Sequence, residues 1–578
     1  MSNTPGPPTP KKEPTMETRL LLAFALMGLV LFATPYFIKT ISPPQPVKKS
    51  AVQKAPEKPP TSAPEPSQAT NPTLQPSPPA EAHSAGRIAA QKEEEFTIDT
   101  DVYRVVLSNQ DAIVRHWILK KYTDDNGKPL ELVNIAGTAK AGYPFQFYFE
   151  DRKPAVDVNA ALYSAKRGED GLSITYEFSD GAVTARKTFR FQKDRYLSEV
   201  SSAVTENGTP VPHLLAWRAG FGDPSILTSG TQHIVFFDLT DSKLVTRDAK
   251  SAKNGPVNSE GNYSFAGIED SYFAAVFIPT APGPVKIVTL SDTVPSANNS
   301  KEEPHVGSAV GGAGVNHYAL FVGPKDLDVL NHINPQLTRL VDYGWFTFLA
   351  KPLFLALHYV NDKWTHNYGW AIIIVTILIN FLLFPLKLTN LKSMRKMQVV
   401  QPEVKAIQDK YKGLSMRDPR RQQQNEEIMA LYKKHGANPM GGCFPMLVQI
   451  PFFIAFYKVL AVSIELRHAH WLWVSDLASA EHIPIRILPI AMIATQFFLQ
   501  KMTPTTTVDP NQQRMMLIMP LVMGFIFYGL PSGLVLYYLT ANLVGMAQQV
   551  FFNKTSTPAE SPQPAAVGNK KQITRIRR

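Results

Sequence analysis

Apolar positions in this chain gather into six dense runs, over 20–38, 370–386, 446–464, 487–499, 515–530 and 534–552. Between the first two runs they alternate with polar ones instead. The first run, Leu20 to Ile38, holds 19 residues without a charge, about enough for a helix to cross ~30 Å of hydrocarbon. Lys11, Lys12 and Arg19 precede it as in a signal peptide. The run nevertheless exceeds the usual ~7–15-residue signal core, and Thr34-Pro35-Tyr36 is a poor cleavage context. It reads as an uncleaved anchor.

The later runs predict membrane helices over 368–387, 446–466, 485–502, 515–530 and 532–552. Met515 to Leu530 is 16 residues, roughly 24 Å at 1.5 Å per residue. The run from Ile487 reaches only Leu499 before Gln500 and Lys501. Helices this short thin the bilayer locally or sit inside protein.

From Phe96 the period falls to two. Ile174, Tyr176 and Phe178 alternate before Ser179-Asp180-Gly181, Asn207-Gly208 marks a hairpin, and apolar runs such as Ile234–Phe237 and Phe273–Phe277 recur. Many short strands without intervening helices predict a β-sandwich over 96–334. Leu337, Leu340, Val341 and Phe348 then return at helical spacing beside Trp345 and Phe346. This predicts an amphipathic helix over 335–361 lying on the membrane surface.

Charge fixes the orientation. Lys387 to Pro445 carries 12 Lys/Arg against five Asp/Glu, the tail after Phe552 six against one, and Arg467 to Pro484 a single Arg. Positive loops stay in the cytoplasm. Six spans therefore leave residues 1–19 and the basic tail 553–578 in the cytoplasm and 39–351 outside. Within 388–445, Pro402 is expected to restart a helix and Gly436 to stop the next, giving a helical hairpin. Its basic residues and those of the tail suit ribosomal RNA or lipid phosphate.

Composition narrows the chemistry. Twelve prolines between Pro43 and Pro79 make 39–95 an extended tether. The only cysteine, Cys443, excludes an internal disulfide framework and any cysteine-built metal site. His116, His213 and His305 stand apart in sequence, and no catalytic constellation emerges. No cofactor or metal is called for. Mean hydropathy is −0.12, which conceals the clustering.

Polar stripes mark three of the predicted spans. Thr376, Asn380 and Lys387 fall within about 40° on the second span at 100° per residue. Tyr538, Asn542 and Gln549 stack on the sixth, and Gln496 and Gln500 on the fourth. A shared hydrated groove needs such stripes, although interhelical hydrogen bonding uses the same residue types. Lys458 lies inside the third apolar run and either faces the groove or snorkels outward. Met516, Met519 and Met523 form a pliant apolar stripe on the fifth span.

Three strings carry a resemblance. They are Asn438-Pro439-Met440-Gly441-Gly442-Cys443-Phe444-Pro445 leading to Gln449-Ile450-Pro451-Phe452, then Gln500-Lys501-Met502-Thr503-Pro504-Thr505, then Pro531-Ser532-Gly533-Leu534-Val535-Leu536-Tyr537-Tyr538. In this order they resemble the YidC/Oxa/Alb family of membrane-protein insertases, in its Gram-negative architecture. The resemblance implies a polytopic α-helical membrane protein with a five-helix insertase core, a bacterial inner-membrane location and a periplasmic β-sandwich. It implies a non-enzymatic role in inserting and folding nascent membrane proteins, alone or beside the Sec translocase. The ribosome and the signal-recognition machinery are the further partners it suggests, through the hairpin and tail. The client's polar part would enter the groove, and its apolar helix would slide along the third span (Phe453, Phe456, Tyr457) and the methionines of the fifth. Many relatives have an arginine where this chain, aligned on Phe384-Pro385-Leu386, has Asn380; Lys458 is the candidate substitute. A transporter lined by the polar stripes, and an anchored carbohydrate-acting sandwich, are the competing readings.

Overall fold

The computed structural model describes residues 86–224, 230–296, 299–312, 314–413, 418, 420–436, 444–503 and 510–555. The expected anchor 20–38, most of the tether and most of the basic tail lie outside the described residues. The described chain divides into two units. One contains the sandwich with residues up to Ala371 and with 451–479; the other contains 372–450 and the residues from Ala480 onward.

Among the described residues, nineteen strands build three antiparallel sheets of four, ten and five strands. The folded region begins before Phe96. Ile88 and Ser179 exchange both backbone hydrogen bonds at 2.8 Å, so the last ten residues assigned to the tether include sandwich residues. The turn signals act as expected: Asn207 and Gly208 take φ of 51° and 76° between strands Leu197–Glu206 and Thr209–Pro210. Two short helical pieces, Ile135–Ala141 (α1) and the 3-10 turn Ala249–Ala252, interrupt the expected all-β pattern.

Phe145 holds the core together. Its ring lies 5.6 Å from Trp217 of the five-stranded sheet, 5.3 Å from Phe189 of the ten-stranded sheet and 6.4 Å from Trp117 of the four-stranded sheet. This contact requires a left-handed backbone, with φ of 68° at Phe145, which costs a non-glycine residue about 1–3 kcal/mol. Lys187 offsets that strain. Strand Val183–Phe191 alternates inward and outward, and Lys187 occupies an inward position. Its fully buried amine donates to the carbonyls of Phe145 (2.6 Å) and Ala112 (2.8 Å), and lies 4.2 Å from the Phe147 ring. Burial draws the amine down to about 7.

The expected surface helix over 335–361 occupies only the second half of that range. Pro335–Leu340 and Gly344–Phe346 are 3-10 turns; after Leu327–Ile333 (α2) the next α-helix is Thr347–Val360 (α3). It buries Ala350, Leu353, Phe354, Leu357 and Val360 yet leaves Phe348, Leu355 and Tyr359 exposed. Apolar on both faces, it needs a second apolar medium beside it.

Tyr368–Leu382 (α4) is followed by Phe384–Lys410 (α5). The helix expected to end at 387 thus breaks at Leu383, with Pro385 in the first turn of the next. Pro402 does not restart a helix; α5 runs through it, because an internal proline removes one hydrogen bond without obliging the chain to stop. Arg420–Lys434 (α6) packs Ile428, Leu431 and Tyr432 against Met397, Val400 and Val404 of α5. Phe444–Val462 (α7), Ile487–Met502 (α8), Pro510–Phe527 (α9) and Ser532–Thr555 (α10) follow. Among the described residues α10 alone is long and apolar enough by itself to cross a membrane, while Gly344–Thr365 and Tyr368–Leu382 qualify only as a pair bent by 117°.

Candidate functional site

Four helices, α4, α5, α8 and α10, bring polar side chains together in the helical unit. α8 packs against both α9 and α10, and α10 also meets α5. The approach is close: a Cβ at Gly524 of α9 would lie 2.2 Å from Ile493 of α8, and one at Gly545 of α10 3.4 Å from Leu499. Small residues allow this between helices in lipid.

The centre of the cluster is an ammonium surrounded by amides. Lys387 Nζ donates to Asn380 Oδ1 at 2.6 Å and to Gln548 Oε1 at 3.4 Å. Gln548 Nε2 returns a bond to the Asn380 carbonyl at 3.1 Å. Among the described residues no carboxylate reaches Lys387. Seven positions separate Asn380 from Lys387, two helical turns, so the stripe read from spacing is a physical contact despite the break at Leu383. Gln548 was missed by the sequence reading, which followed Asn542 and Gln549 along α10; it lies one position off that stripe.

The other stripe residues divide. Asn542 Nδ2 donates to Thr495 Oγ1 of α8 at 3.4 Å, and Gln549 Nε2 to Asn553 at 3.0 Å. Thr376 is fully buried and its hydroxyl bonds to its own helix at the Ile372 carbonyl (2.6 Å), so it offers nothing to a cavity. Gln496 and Gln500 are half-buried, and among the described residues Gln496 Oε1 has no hydrogen-bond partner. Tyr538 is half-buried beside Phe527, ring centroids 4.9 Å apart. Its neighbour Tyr537 hydrogen-bonds Gln449.

The apolar candidates shift along the helix. The side chain of Met516 lies outside the described residues. Met519 is exposed and Met523 half-buried, but the continuous exposed face of α9 is Ile518, Leu521, Val522 and Phe525, the last 87% exposed. On α7, Phe453 and Phe456 are buried and Tyr457 half-buried, which does not suit the first two to a sliding surface. Lys458 is half-buried with its Cε 3.9 Å from where a Cβ at Gly344 would stand. It therefore packs beside the residues that lead into α3.

The sandwich histidines are structural. His213 is buried, its ring bonded to Ser202 Oγ and the Val211 carbonyl at 2.9 Å each, and burial lowers it to about 4. His305 contacts Gln232 at 3.3 Å. His116 is not isolated: its Nδ1 lies 2.9 Å from Glu131 Oε2, and that hydrogen bond raises its pKa. Glu131 also accepts from the backbone N–H groups of Trp117 and Val133, so the pair ties two strands together.

Two family models cover most of the chain. One, described as 60Kd inner membrane protein, matches residues 360–560, and the YidC periplasmic domain matches 95–356. The membrane protein insertase YidC of Syntrophus aciditrophicus (strain SB) is 34% identical over 566 residues, covering 93% of this chain and all of the relative. That of Geobacter sp. (strain M21) is 36% identical over 483 residues, covering 80% of this chain and 86% of the relative. A crystal structure of an active YidC insertase with its first transmembrane domain resolved is similar at 18% identity and a TM-score of 0.35, covering 81% of this chain and 94% of that one.

Proposed function

The chain belongs to the YidC family of membrane protein insertases, and from that premise we propose how its own residues insert a client. As an insertase of the inner membrane with a periplasmic domain, it acts on nascent integral membrane proteins and is not an enzyme in the catalytic sense. Six spans with both termini in the cytoplasm are the topology that fits its charge distribution.

The amide cluster of Asn380, Gln548, Asn542 and Gln549 receives the polar segment that the client must carry across. An unpaired polar group in hydrocarbon costs several kcal/mol, and amide side chains already held between helices replace much of the water it gives up. Lys387 adds a positive charge, with amides as its partners, and this favours acidic segments. The exposed face of α9, around Leu521, Val522 and Phe525, gives the client's apolar helix a path into lipid. Partition of that helix, at about −0.3 to −0.6 kcal/mol per central Leu, Ile, Phe or Val, drives the step. The α5–α6 hairpin and the basic tail would meet the ribosome, the signal-recognition machinery or lipid phosphates, and the Sec translocase would share larger clients. The observation that carries this reading is the Lys387 ammonium held by two neutral amide oxygens.

Photo-crosslinkers at Gln548 and Leu521 test it on a stalled single-span client. Adducts from position 548 should map to the client's polar flank and those from 521 to its apolar helix. The same client segment at both positions, or no adduct at either, would refute the division of labour.

A further inference from the structure

Arg467 and Asp223, 244 residues apart, form an ion pair in which Arg467 is 5% and Asp223 0% exposed. Both sides of this pair are built with care. On the sandwich side, residues 219–223 wind through left-handed φ at Ala219 (65°), Gly220 (88°) and Gly222 (109°). A Cβ at Gly222 would lie 2.0 Å from Asp270 Oδ2, so glycine is required there. Asp270 accepts from Asp223 N (2.7 Å), Tyr272 N (2.8 Å) and Phe273 N (2.6 Å). The guanidinium lies 5.9 Å from the ring centroids of both Tyr272 and Phe273.

On the other side, the residues after α7 form a closed knob. Trp471 and Val474 bond reciprocally, Leu477 N donates to the Ala469 carbonyl, and Asp476 Oδ1 accepts from His468 N and Ala478 N. His468, at φ 56°, also reaches the sandwich, with its ring 3.3 Å from Asp125 and 3.4 Å from Thr123. The knob further holds the residues leading into α4, where Asn367 Nδ2 donates to the His470 carbonyl at 2.9 Å and Trp370 packs on Trp471 at 5.6 Å.

We propose that Arg467 is a positioning residue: by its pairing with Asp223 the sandwich fixes the outer end of α7. An ion pair buried this deeply returns little net stability, since desolvation opposes the Coulombic gain; its geometry specifies orientation. α7 ends at Val462, five residues before Arg467, too few for the helix end to move freely once the arginine is fixed. The proposal thus gives the sandwich a role in insertion, resting on the reading above only for its activity readout.

A charge-swap cycle in the full-length protein tests it, read by hydrogen exchange of 464–479 and by client insertion. Asp223→Ala and Arg467→Ala each break the buried ion pair and should shift the docked-to-undocked ratio by on the order of 100-fold, seen as faster exchange at Leu477 and Val474 with reduced insertion. Asp223→Arg with Arg467→Asp should regain protection and insertion together, and Arg467→Lys should regain part of both. If the single variants fold poorly, Thr123→Ala with His468→Gln weakens the same docking more gently and should raise exchange moderately. Unchanged exchange in the single variants would overturn the proposal. So would a swap that restores protection but leaves insertion lost, because Arg467 would then act on clients or lipid directly.

Discussion

Lys387 Nζ stands 2.6 Å from Asn380 Oδ1, so a lysine two turns further along brings its ammonium to the Asn380 side chain. Lys458, the other candidate, packs beside Gly344 instead.

Lys387→Gln should therefore impair clients with acidic translocated segments more than neutral ones. A unit pair at ~8 Å contributes roughly 2 kcal/mol at an effective dielectric of ~20, more than tenfold in an insertion equilibrium. Asn380→Arg in that background should recover the acidic clients, and Lys458→Gln should affect both classes alike. Pulse-labelled insertion of matched acidic and neutral clients measures this; equal losses from Lys387→Gln would remove the charge from the account.

The amine of Lys187 makes the sandwich sensitive to pH. Held at about 7 when folded against an ordinary 10.5, it binds fewer protons in the folded state than in the unfolded state between those values. Stability from this group is thus complete above about 10.5 and falls as pH drops toward 7. Melting of the full-length protein from pH 7 to 9.5 should show the sandwich transition rising with pH, and Lys187→Met should reduce that slope. An identical slope in the variant would contradict it.

Gly524 sets the distance between α8 and α9. Gly524→Val places new atoms where Ile493 already stands, and overpacking of this kind costs about 1–3 kcal/mol. Midpoints of detergent unfolding should fall accordingly and recover with Ile493→Ala. A variant as stable as the parent would mean that the two helices separate without penalty.

What was legible in the sequence followed local periodicity. Alternation through Ile174, Tyr176 and Phe178 and the turn at Asn207-Gly208 reappear as strands and hairpin because each is decided by near neighbours. The stripe of Thr376, Asn380 and Lys387 was likewise readable as spacing, but its chemistry was not: Thr376 bonds within its own helix, whereas Lys387 needs Gln548, 161 residues away. Methionine content points to Met516, Met519 and Met523, of which Met519 is exposed and Met523 half-buried, while Leu521 and Phe525 are the most exposed side chains on α9, since outward facing depends on how α8 packs. The pairing of Arg467 with Asp223 had no signal in sequence, because charge in a loop next to a membrane reads first as topology.

The central claim is that this chain itself inserts membrane proteins through an amide-lined, positively charged site. The most direct test uses liposomes containing only the purified chain, supplied with a freshly translated single-span client bearing an acidic translocated segment. Protease should leave a protected client fragment whose yield rises with the amount of chain and drops more than tenfold for Lys387→Gln, as the Coulombic term requires. A yield no higher than in protein-free liposomes would contradict the account.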